Sequence, residues 1–589
     1  MKFRLFCCLM AVITAFAILS GCAVTSPSEN SADVNAEYSV SFNYNYFTFD
    51  PVPSAQTVKY GNKATEPDSP TREGYTFLGW YTDSDLTEKW DFSSDTVTQK
   101  TVLYAGWEQK IEGDIVYPTD DKDFSSLLTP GSQEAAYDYK FFFRPEKDGT
   151  RQGYIGDTMP YYENGVYYIY YLKDGGDSYN HSVFLVTTRD FVTYEEQQTP
   201  VLESSRSGGQ DGWIGTGSVV KVKGRYYFFY TGHTNSSSAE YKEKIMVAES
   251  DNLTSFEKKA GWEIIPPSDL GQKNDFRDPQ AYYDEATDKI TLTITAAKNS
   301  VARVIKYTLN GNLTNPVYDG VIYSNKVGGF WNLECSDTFK IGNKYYLTYS
   351  AQDDTLWYAV SDTAYGPYSA AKRVEGKLFY AAKHVDDGEN YYMVGWARRS
   401  GSVSSTQDVS AWAGNLLVQK IVQKENGDLS LAPLDCFDEL FNKRRALLIN
   451  ETFKTVRAAS SYTYEDVFNC YERFVIKGSF SFDGTGMFGL AFDYNGRADK
   501  YKMIRFNQRA NAVELVFNEG STLITQYETA LEPNVEYSFT YVQEGSVGVM
   551  YLGDACALTV RLYGVSGKPI KLFAENNTVK FTGLCQYTF

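Results

Sequence analysis

The chain contains 589 residues, of which 43% are hydrophobic and 16% aromatic, and it carries a formal net charge of −18. A chain of this length and apolar content builds large cores and suggests roughly three or four domains. The acidic excess gives little attraction to phosphate backbones, so nucleic acid is excluded as an expected partner and an uncharged substrate is favoured.

The first 22 residues, "MKFRLFCCLMAVITAFAILSGC", have the pattern of a secretory signal. Lys2 and Arg4 precede an apolar run of about 15 residues, which is too short for a comfortable membrane span. The ending Leu19-Ser20-Gly21-Cys22 resembles the bacterial lipoprotein signal, which implies that Cys22 is lipidated and anchors the protein to the membrane at the cell surface. The alternative is an ordinary signal peptide with an incidental cysteine. The small and polar residues 23–37 predict a flexible tether.

Five cysteines follow Cys22, which is an odd and sparse set for an exported protein of this size. They predict no disulfide framework, and none of their spacings predicts a metal site. We therefore expect neither a metal nor a cofactor. These five are Cys335, Cys436, Cys470, Cys556 and Cys585.

Residues 38–109 predict a small β module. The segments "REGYTFLGWYTD" and "TVLYAGWEQ" place aromatic residues at strand-like alternation. They resemble the Listeria-Bacteroides repeat, the β-grasp module of internalin B-type surface proteins, which implies a spacer without a catalytic role. Binding of a glycan or of a partner protein is the alternative. Residues 110–135 then form a predicted linker.

Residues 136–433 contain five similar segments: "NGVYYIYYL", "KGRYYFFYTG", "DKITLTIT", "GNKYYLTYS" and "ENYYMVGWA". Their starts lie about 47 to 65 residues apart, which is close to the length of four short strands with their connections. Turn residues precede alternating aromatic and aliphatic positions in each segment. This pattern predicts a five-bladed β-propeller in preference to a β-sandwich of similar strand content.

Three carboxylates occupy nearly equivalent positions before these segments: Asp157, Asp278 and Glu334. If the strand before each segment is the innermost of its blade, the three side chains converge at one end of the central channel. Cleavage of a glycosidic bond needs one carboxylate as nucleophile or base and one carboxylic acid that protonates the leaving oxygen. A third acid can hold sugar hydroxyls, and Arg277 is expected to help keep Asp278 ionised and to orient it.

The motifs "FRDPQ" and "LECSD", the earlier "GD" and a β-rich C-terminal segment resemble glycoside hydrolase family 32, whose invertases, levanases and inulinases act on β-fructofuranosides. The resemblance extends over about residues 136–589. It implies a retaining mechanism in which Asp157 is the nucleophile, Asp278 stabilises the transition state and Glu334 is the acid/base. It also implies a carbohydrate partner.

The sequence departs from the family pattern around the first acid. The family motif W-M-N-D-P-N-G corresponds here to "YIGDTMP", with Gly156 in place of asparagine and Thr158 in place of proline. A family glutamine corresponds to Leu172, and Phe-Ser-Gly-Ser corresponds to residues 215–218, Gly-Thr-Gly-Ser. These changes alter groups that are expected to touch the sugar, whereas the three acids are retained.

Other candidates for substrate binding are aromatic or polar. The faces of Trp213, Trp331 and Trp396 can stack against the apolar face of a furanose, although core packing explains a tryptophan equally well. The resemblance adds Ser218 to the substrate-binding set.

Residues 451–589 alternate strongly, with turn signals roughly every ten residues, and follow a linker over residues 434–450. We predict a C-terminal β-sandwich with a structural role, carbohydrate binding being the alternative. The complete sequence thus predicts an all-β, surface-anchored β-fructofuranosidase. The alternatives are an arabinan-cleaving furanosidase of a related propeller family and a surface lipoprotein that binds glycans without cleaving them.

Overall fold

The computed structural model describes the greater part of the chain, and Cys22 with the predicted signal and most of the tether lies outside the described residues. The described ranges are 35–45, 52–72, 75–83, 86, 88–109, 138–146, 153–174, 181–205, 208–270, 274–325, 330–399, 411–437, 446–448, 453–458, 461–493, 501–517, 522–553, 555–565 and 567–588. The chain separates into two compact units, Met1–Ile111 and Glu112–Phe589. Within the described part of the chain, no helix has the length and apolar character needed to cross a bilayer.

The first unit contains one four-stranded sheet in the order β2-β1-β4-β3. Its strands are β1 (Glu37–Asn43), β2 (Gln56–Lys59), β3 (Tyr75–Tyr81) and β4 (Thr101–Gln109). The central pair β1 and β4 is parallel, and the outer pairs are antiparallel. The core includes the fully buried Val40 and Leu103 and the ring of Trp80, which packs edge-on against Phe42 at 4.9 Å between ring centroids.

The second unit begins with five groups of four antiparallel strands. The groups are β5 (Tyr154–Glu163), β6 (Val166–Asp174), β7 (Val183–Thr188), β8 (Tyr194–Leu202); β9 (Trp213–Val222), β10 (Arg225–His233), β11 (Glu243–Ser250), β12 (Glu257–Ile264); β13 (Phe276–Asp284), β14 (Lys289–Lys298), β15 (Val301–Asn310), β16 (Val317–Ser324); β17 (Glu334–Ile341), β18 (Lys344–Ser350), β19 (Leu356–Ser361), β20 (Lys372–Arg373); and β21 (Phe379–Asp386), β22 (Tyr391–Arg399), β23 (Ala411–Gln423), β24 (Leu429–Ala432). A short 3₁₀ turn, Ser268–Leu270, precedes β13.

The first strands of the five groups form a closed ring. β5 contacts β9, and the contacts continue through β13 and β17 to β21, which returns to β5. A single bridge between Gly414 and Ile155 also joins the first group to the last. We interpret the groups as propeller blades whose first strands surround the central axis. The repeated sequence segments are the second strands, because they coincide with β6, β10, β14, β18 and β22.

The chain ends in two packed sheets that alternate in sequence. One sheet contains β25 (Ala446–Leu448), β26 (Phe453–Ala458), β28 (Arg473–Phe482), β33 (Tyr537–Glu544), β34 (Val547–Leu552), β35 (Cys556–Arg561) and β37 (Asn577–Thr588). The other contains β27 (Thr463–Asn469), β29 (Met487–Asp493), β30 (Tyr501–Asn507), β31 (Ala512–Phe517), β32 (Thr522–Glu528) and β36 (Pro569–Glu575). Residues such as Phe480, Phe488 and Leu558 from both sheets share one buried core. The predicted all-β architecture is confirmed.

Buried polar groups join this sandwich to the last blade. The guanidinium of Arg561 donates to the carbonyls of Ala397 and Arg398 and to the Asn415 side chain. The buried carboxylate of Glu375 accepts hydrogen bonds from the backbone N–H and the hydroxyl of Thr559. Because buried polar groups are costly to leave unpaired, these bonds fix the sandwich against the strands that carry part of the site.

Candidate active site

Every innermost strand changes register at a corresponding point, as in a β-bulge. The change falls at Asp157 in β5, at Thr216 in β9, at residues 278–279 in β13, at residues 335–336 in β17 and at residues 381–382 in β21. Asp278 and Cys335 have φ values of 59° and 52°, a left-handed conformation that is uncommon outside glycine. Bulges re-aim side chains, and these direct residues from five strands toward one end of the ring.

That end of the ring holds a cavity of about 440 Å³. The three predicted acids, Asp157, Asp278 and Glu334, all line it. They come from β5, β13 and β17, so the structure brings together residues that are far apart in the sequence. A pocket of this size accommodates a sugar ring.

Burial and a neighbouring carboxylate oppose the ionisation of Asp157, whereas two side-chain hydrogen bonds favour it. Desolvation raises the pKa of the Asp157 carboxyl, and the nearby Glu334 carboxylate raises it further. The indole N–H of Trp396 donates to Oδ1 at 3.4 Å, and the Thr216 hydroxyl donates to Oδ2 at 3.3 Å. These two bonds also fix the direction in which the carboxylate points, as a nucleophile requires.

Asp278 is 3% exposed, and burial raises the pKa of its carboxyl to about 7. The Arg277 charge, the backbone N–H of Cys335 and the Lys383 ammonium each lower this pKa. Arg277 therefore favours the ionised form of Asp278, as predicted, but desolvation outweighs the neighbouring charges and the pKa stays raised. The Cys335 N–H donates to Oδ2 at 2.7 Å, so a sugar hydroxyl that also donates to Asp278 would favour the ionised form.

Glu334 lies at the start of β17, where its side chain is 34% exposed and thus far more accessible than that of Asp278. Its Oε2 accepts a hydrogen bond from the Tyr380 hydroxyl at 2.7 Å, and its Oε1 lies 4.0 Å from a guanidinium nitrogen of Arg277. Tyr380 therefore holds one carboxyl oxygen, while the other faces the cavity side that carries Arg277. This position suits a group that exchanges a proton with a leaving oxygen and then with water.

A fourth carboxylate, Glu243, organises the Arg-Asp-Pro segment and was not predicted from the sequence. It accepts hydrogen bonds from the backbone N–H of Phe276 at 2.8 Å and from Arg277 at 2.6 Å. Although burial opposes ionisation, the hydrogen bond from His233 and the Arg277 charge lower the pKa of Glu243 to about 2. The hydrogen bond with Glu243 in turn raises the pKa of His233. Glu243 thus anchors Arg277 beside both Asp278 and Glu334.

The proposed sugar-binding residues take different places. Trp213 lines the cavity. Trp331 is 44% exposed and lies beside the site, with the Arg277 guanidinium 5.9 Å from its ring centroid. Trp396 is buried, so its predicted stacking against a sugar is wrong. Its indole N–H donates a hydrogen bond to Asp157 instead. Ser218 is also misassigned, because its hydroxyl donates to Pro279 O and accepts from Ala281 N in the packing of β9 on β13.

Further lining residues were missing from the sequence prediction. They are His181, His233, Asn235, Tyr380 and Trp412, together with Thr231, Ile214 and the backbone around Thr216. Trp412 lies in the last blade and His181 precedes β7, so neither belongs to an acid-bearing motif. No local sequence signal marks them, because their meeting depends on closure of the ring.

We predict that Asp278→Asn makes the protein more stable at neutral pH while lowering kcat by roughly 10²-fold or more, the cost of losing one preorganised electrostatic contact. The folded-state pKa is about 7, above the ordinary value of 3.8, so the native state holds a proton that the unfolded chain has lost between those values. Stability therefore falls as pH rises through this window, and the neutral asparagine removes that loss.

Thermal unfolding at pH 8 and at pH 4 tests this prediction. The variant should unfold at a temperature a few degrees higher than the parent at pH 8, and the difference should shrink at pH 4. The exposed Asp284, at the end of the same strand, provides a matched control as Asp284→Asn. Equal stabilisation at both pH values, or unchanged kcat, would contradict the assignment of Asp278.

Comparisons with known proteins identify two family segments. Residues 150–433 match the family model described as glycosyl hydrolases family 32 N-terminal domain. Residues 38–106 match the Listeria-Bacteroides repeat domain. These matches confirm the predicted resemblance of the two segments to glycoside hydrolase family 32 and to the Listeria-Bacteroides repeat.

Curated relatives match parts of the chain. Sucrose-6-phosphate hydrolase of Escherichia coli is 22% identical over 283 residues, which cover 44% of this chain and 57% of that protein. Two Evansella cellulosilytica proteins named as membrane proteins are 36% and 33% identical over 118 and 157 residues, covering 20% and 24% of this chain. The chain spans 17% and 18% of those two proteins and just over half of the hydrolase.

Solved structures share the fold over most of the chain at low identity. A Bombyx mori GH32 β-fructofuranosidase has a TM-score of 0.58 at 16% identity and covers 79% of this chain and 95% of its own. An exo-inulinase from Aspergillus awamori has a TM-score of 0.60 at 15% identity, with coverages of 76% and 99%. Fructan 1-exohydrolase IIa from Cichorium intybus has a TM-score of 0.61 at 16% identity, with coverages of 78% and 98%.

Proposed function

We propose that the protein, whose residues 150–433 match the glycosyl hydrolases family 32 N-terminal domain, is a retaining glycosidase that cleaves β-fructofuranosidic bonds in fructans or sucrose-like oligosaccharides. The observation that carries this proposal is the convergence of Asp157, Asp278 and Glu334 on one cavity from three of the five innermost strands. Two carboxyl groups suffice for glycoside cleavage, and the third stabilises positive charge that develops on the sugar.

In the first step, Asp157 attacks the anomeric carbon while Glu334 gives its proton to the departing oxygen. The glycosidic C–O bond breaks, the leaving sugar departs as an alcohol, and a fructosyl ester forms on Asp157. The transition state resembles an oxocarbenium ion, so a carboxylate at Asp278 gains strength as positive charge develops. The hydrogen bonds from Trp396 and Thr216 hold Asp157 in the attacking direction.

In the second step, the Glu334 carboxylate takes a proton from water, and the resulting hydroxide attacks the anomeric carbon. The ester bond breaks, Asp157 is regenerated as a carboxylate, and the configuration at the anomeric carbon is retained after two inversions. A direct nucleophile requires the two carboxyl groups to lie about 5 to 5.5 Å apart. Glu334 is close enough to Asp157 for its charge to raise the pKa of the Asp157 carboxyl.

The charges around the cavity favour an uncharged saccharide. Four carboxylates line the cavity. Arg277, which also lines it, already forms ion pairs with Glu243 and Asp275. An anionic sugar would meet repulsion without an available partner of comparable strength. The similar proteins named fructofuranosidase, exo-inulinase and fructan exohydrolase support the fructoside class.

A substrate panel tests this function. We expect release of fructose, or of fructo-oligosaccharides, from at least one of sucrose, inulin and levan, with products resolved by size. Arabinan and sucrose 6-phosphate serve as comparison substrates. Arabinose release without fructose release would support the arabinan-cleaving alternative, and saturable fructan binding without any turnover would support the non-catalytic alternative.

We further propose that lipidation of Cys22 anchors the enzyme at the bacterial cell surface and that the repeat module acts as a spacer. The similarity to proteins named as membrane proteins and the Listeria-Bacteroides repeat support a surface location. Cys22→Ser should move activity from the membrane fraction to the soluble fraction, because the lipid attachment site is lost. Cys8→Ser is the matched control and should remain in the membrane fraction. Retention of the Cys22 variant on salt-washed membranes would rule out this anchor.

A further inference from the structure

Gly156, the residue before the proposed nucleophile, makes room for an indole. A Cβ at this position would lie less than 3.0 Å from the Cζ2 and Cη2 atoms of Trp412, a separation that real Cβ atoms essentially never show. The Trp412 ring therefore packs directly on the β5 backbone next to Asp157. The absence of a side chain at residue 156 is a condition for this placement.

Trp412 is part of an aromatic wall that we define as His181, Trp213 and Trp412. The His181 ring stacks on Trp412 with 4.7 Å between centroids and 15° between planes. Trp213 meets His181 edge-on at 5.0 Å and 87°. All three residues line the cavity, and Leu172 lines it beside them. The wall therefore forms the side of the cavity that adjoins the nucleophile.

This side of the cavity offers few polar side chains. Residues 156 and 172 face each other across β5 and β6, and they provide no side chain and an apolar one, respectively. Within the part of the chain that the structure describes, neither ring nitrogen of His181 is engaged in a hydrogen bond. Burial lowers the pKa of His181, which favours a neutral ring with one donor and one acceptor nitrogen. His181 is thus the wall residue that can both donate and accept a hydrogen bond, whereas the indoles of Trp213 and Trp412 can only donate.

We propose that the aromatic wall, which Gly156 makes possible, is the specificity-determining surface of the cleavage pocket. It binds an uncharged furanose ring by stacking against the apolar C–H face of the sugar and by one hydrogen bond between a sugar hydroxyl and His181. This inference rests on the proposed glycosidase function and adds the surface that selects the sugar. Aromatic rings provide large apolar contact area at a fixed geometry, which suits this role.

The wall has a consequence for selectivity. A pocket with several buried hydrogen-bonding groups rejects an analogue that lacks the matching hydroxyl by about 10⁴ to 10⁵. An apolar pocket discriminates by only about 10 to 200-fold, because no buried polar group is left unpaired. The wall itself should therefore discriminate among furanosides mainly by ring shape and by the contact to His181, whereas the carboxylates that also line the cavity make other polar contacts.

A double-mutant cycle tests the coupling between Gly156 and Trp412. Trp412→Ala should lower kcat/KM by roughly 10 to 100-fold, mainly through KM, since it removes a stacking surface from the bound sugar. Gly156→Ala should cause a similar loss, because its methyl group displaces the indole. The double variant should be no worse than Trp412→Ala alone, because the ring that the methyl group displaces is no longer present.

Additive losses in the cycle would overturn the inference, since they would mean that Gly156→Ala damages Asp157 directly. An unchanged KM in Trp412→Ala would overturn it as well. Trp357→Ala is the matched control, because Trp357 is partly buried in β19 of another blade and does not line the cavity. We expect its KM to equal that of the parent.

His181 is tested by comparing His181→Ala with His181→Gln. The alanine variant should raise KM about tenfold, the cost of one unmade hydrogen bond to the sugar, and glutamine should restore part of the loss. Equal losses in both variants, or no loss in either, would contradict a hydrogen-bonding role. If the parent enzyme cleaves fructosides but these tests fail, only the proposed role of the aromatic wall in sugar binding is refuted. A parent that cleaves only another furanoside refutes the proposed substrate, and the same cycle then tests the wall on that furanoside.

Discussion

Asp157→Ala is expected to abolish turnover of every fructoside, with a fall in kcat of roughly 10⁴-fold or more. The side chain forms the bond to the anomeric carbon, so no neighbouring group can replace it at the same position. Its two hydrogen-bond donors, Trp396 and Thr216, lie on neighbouring innermost and second strands and orient this carboxylate. Steady-state hydrolysis of sucrose and of an aryl β-fructofuranoside measures the loss.

Folding is the necessary control for this variant. Because burial raises the pKa of Asp157, the ionised carboxylate costs stability at neutral pH, so Asp157→Asn should unfold at the same or a higher temperature than the parent. A folded asparagine variant without activity separates the chemical role from a structural one. Residual turnover above about one hundredth of the parent, in either variant, would remove Asp157 from the role of nucleophile.

Glu334→Ala is expected to respond to the leaving group in a way that Asp157→Ala does not. Sucrose cleavage should fall by about 10³-fold, because the departing sugar oxygen then leaves without a proton. An aryl fructoside with an acidic phenol needs no protonation and should still form the fructosyl ester on Asp157. Added azide should restore turnover, because this anion attacks the ester without general-base help.

The configuration of the azide product completes this test. Two successive inversions give a β-fructosyl azide from a β-fructoside. Tyr380→Phe is a useful companion variant, because it keeps the Glu334 carboxyl group while it removes the 2.7 Å hydrogen bond to it and the 3.3 Å contact with the Ala351 carbonyl, and it should reduce activity far less. An α-fructosyl azide, or restoration of activity by azide in the Asp157 variant alone, would favour the alternative of an inverting, arabinan-type enzyme.

Local sequence patterns predicted the repeated strands and the positions of the three acids. The repeated aromatic segments located the second strand of each group, and the Arg-Asp-Pro and Glu-Cys motifs located Asp278 and Glu334. The placement of Asp157 on a first strand followed from the same spacing. These predictions succeeded because strand alternation and short motifs are local properties of the chain.

Residues that meet only through ring closure were beyond local inference. Glu243 lies in no recognisable motif, yet its carboxylate, which belongs to another blade, accepts a partly buried hydrogen bond from Arg277. Trp396 was expected to stack on sugar, but the bulge at Asp157 turns that carboxylate toward the indole N–H. The direction of the Arg277 effect on Asp278 followed from the sequence, but the burial that outweighs it at Asp278 did not.

The stereochemistry of transfer to methanol shows directly whether the enzyme retains the configuration at the anomeric carbon. In a water–methanol mixture, sucrose turnover passes through the fructosyl ester on Asp157, and methanol intercepts it on the face that water would use. A retaining enzyme should give glucose together with methyl β-D-fructofuranoside as the first-formed product, identified by nuclear magnetic resonance. Methyl α-D-fructofuranoside as the first-formed product would contradict a retaining β-fructofuranosidase.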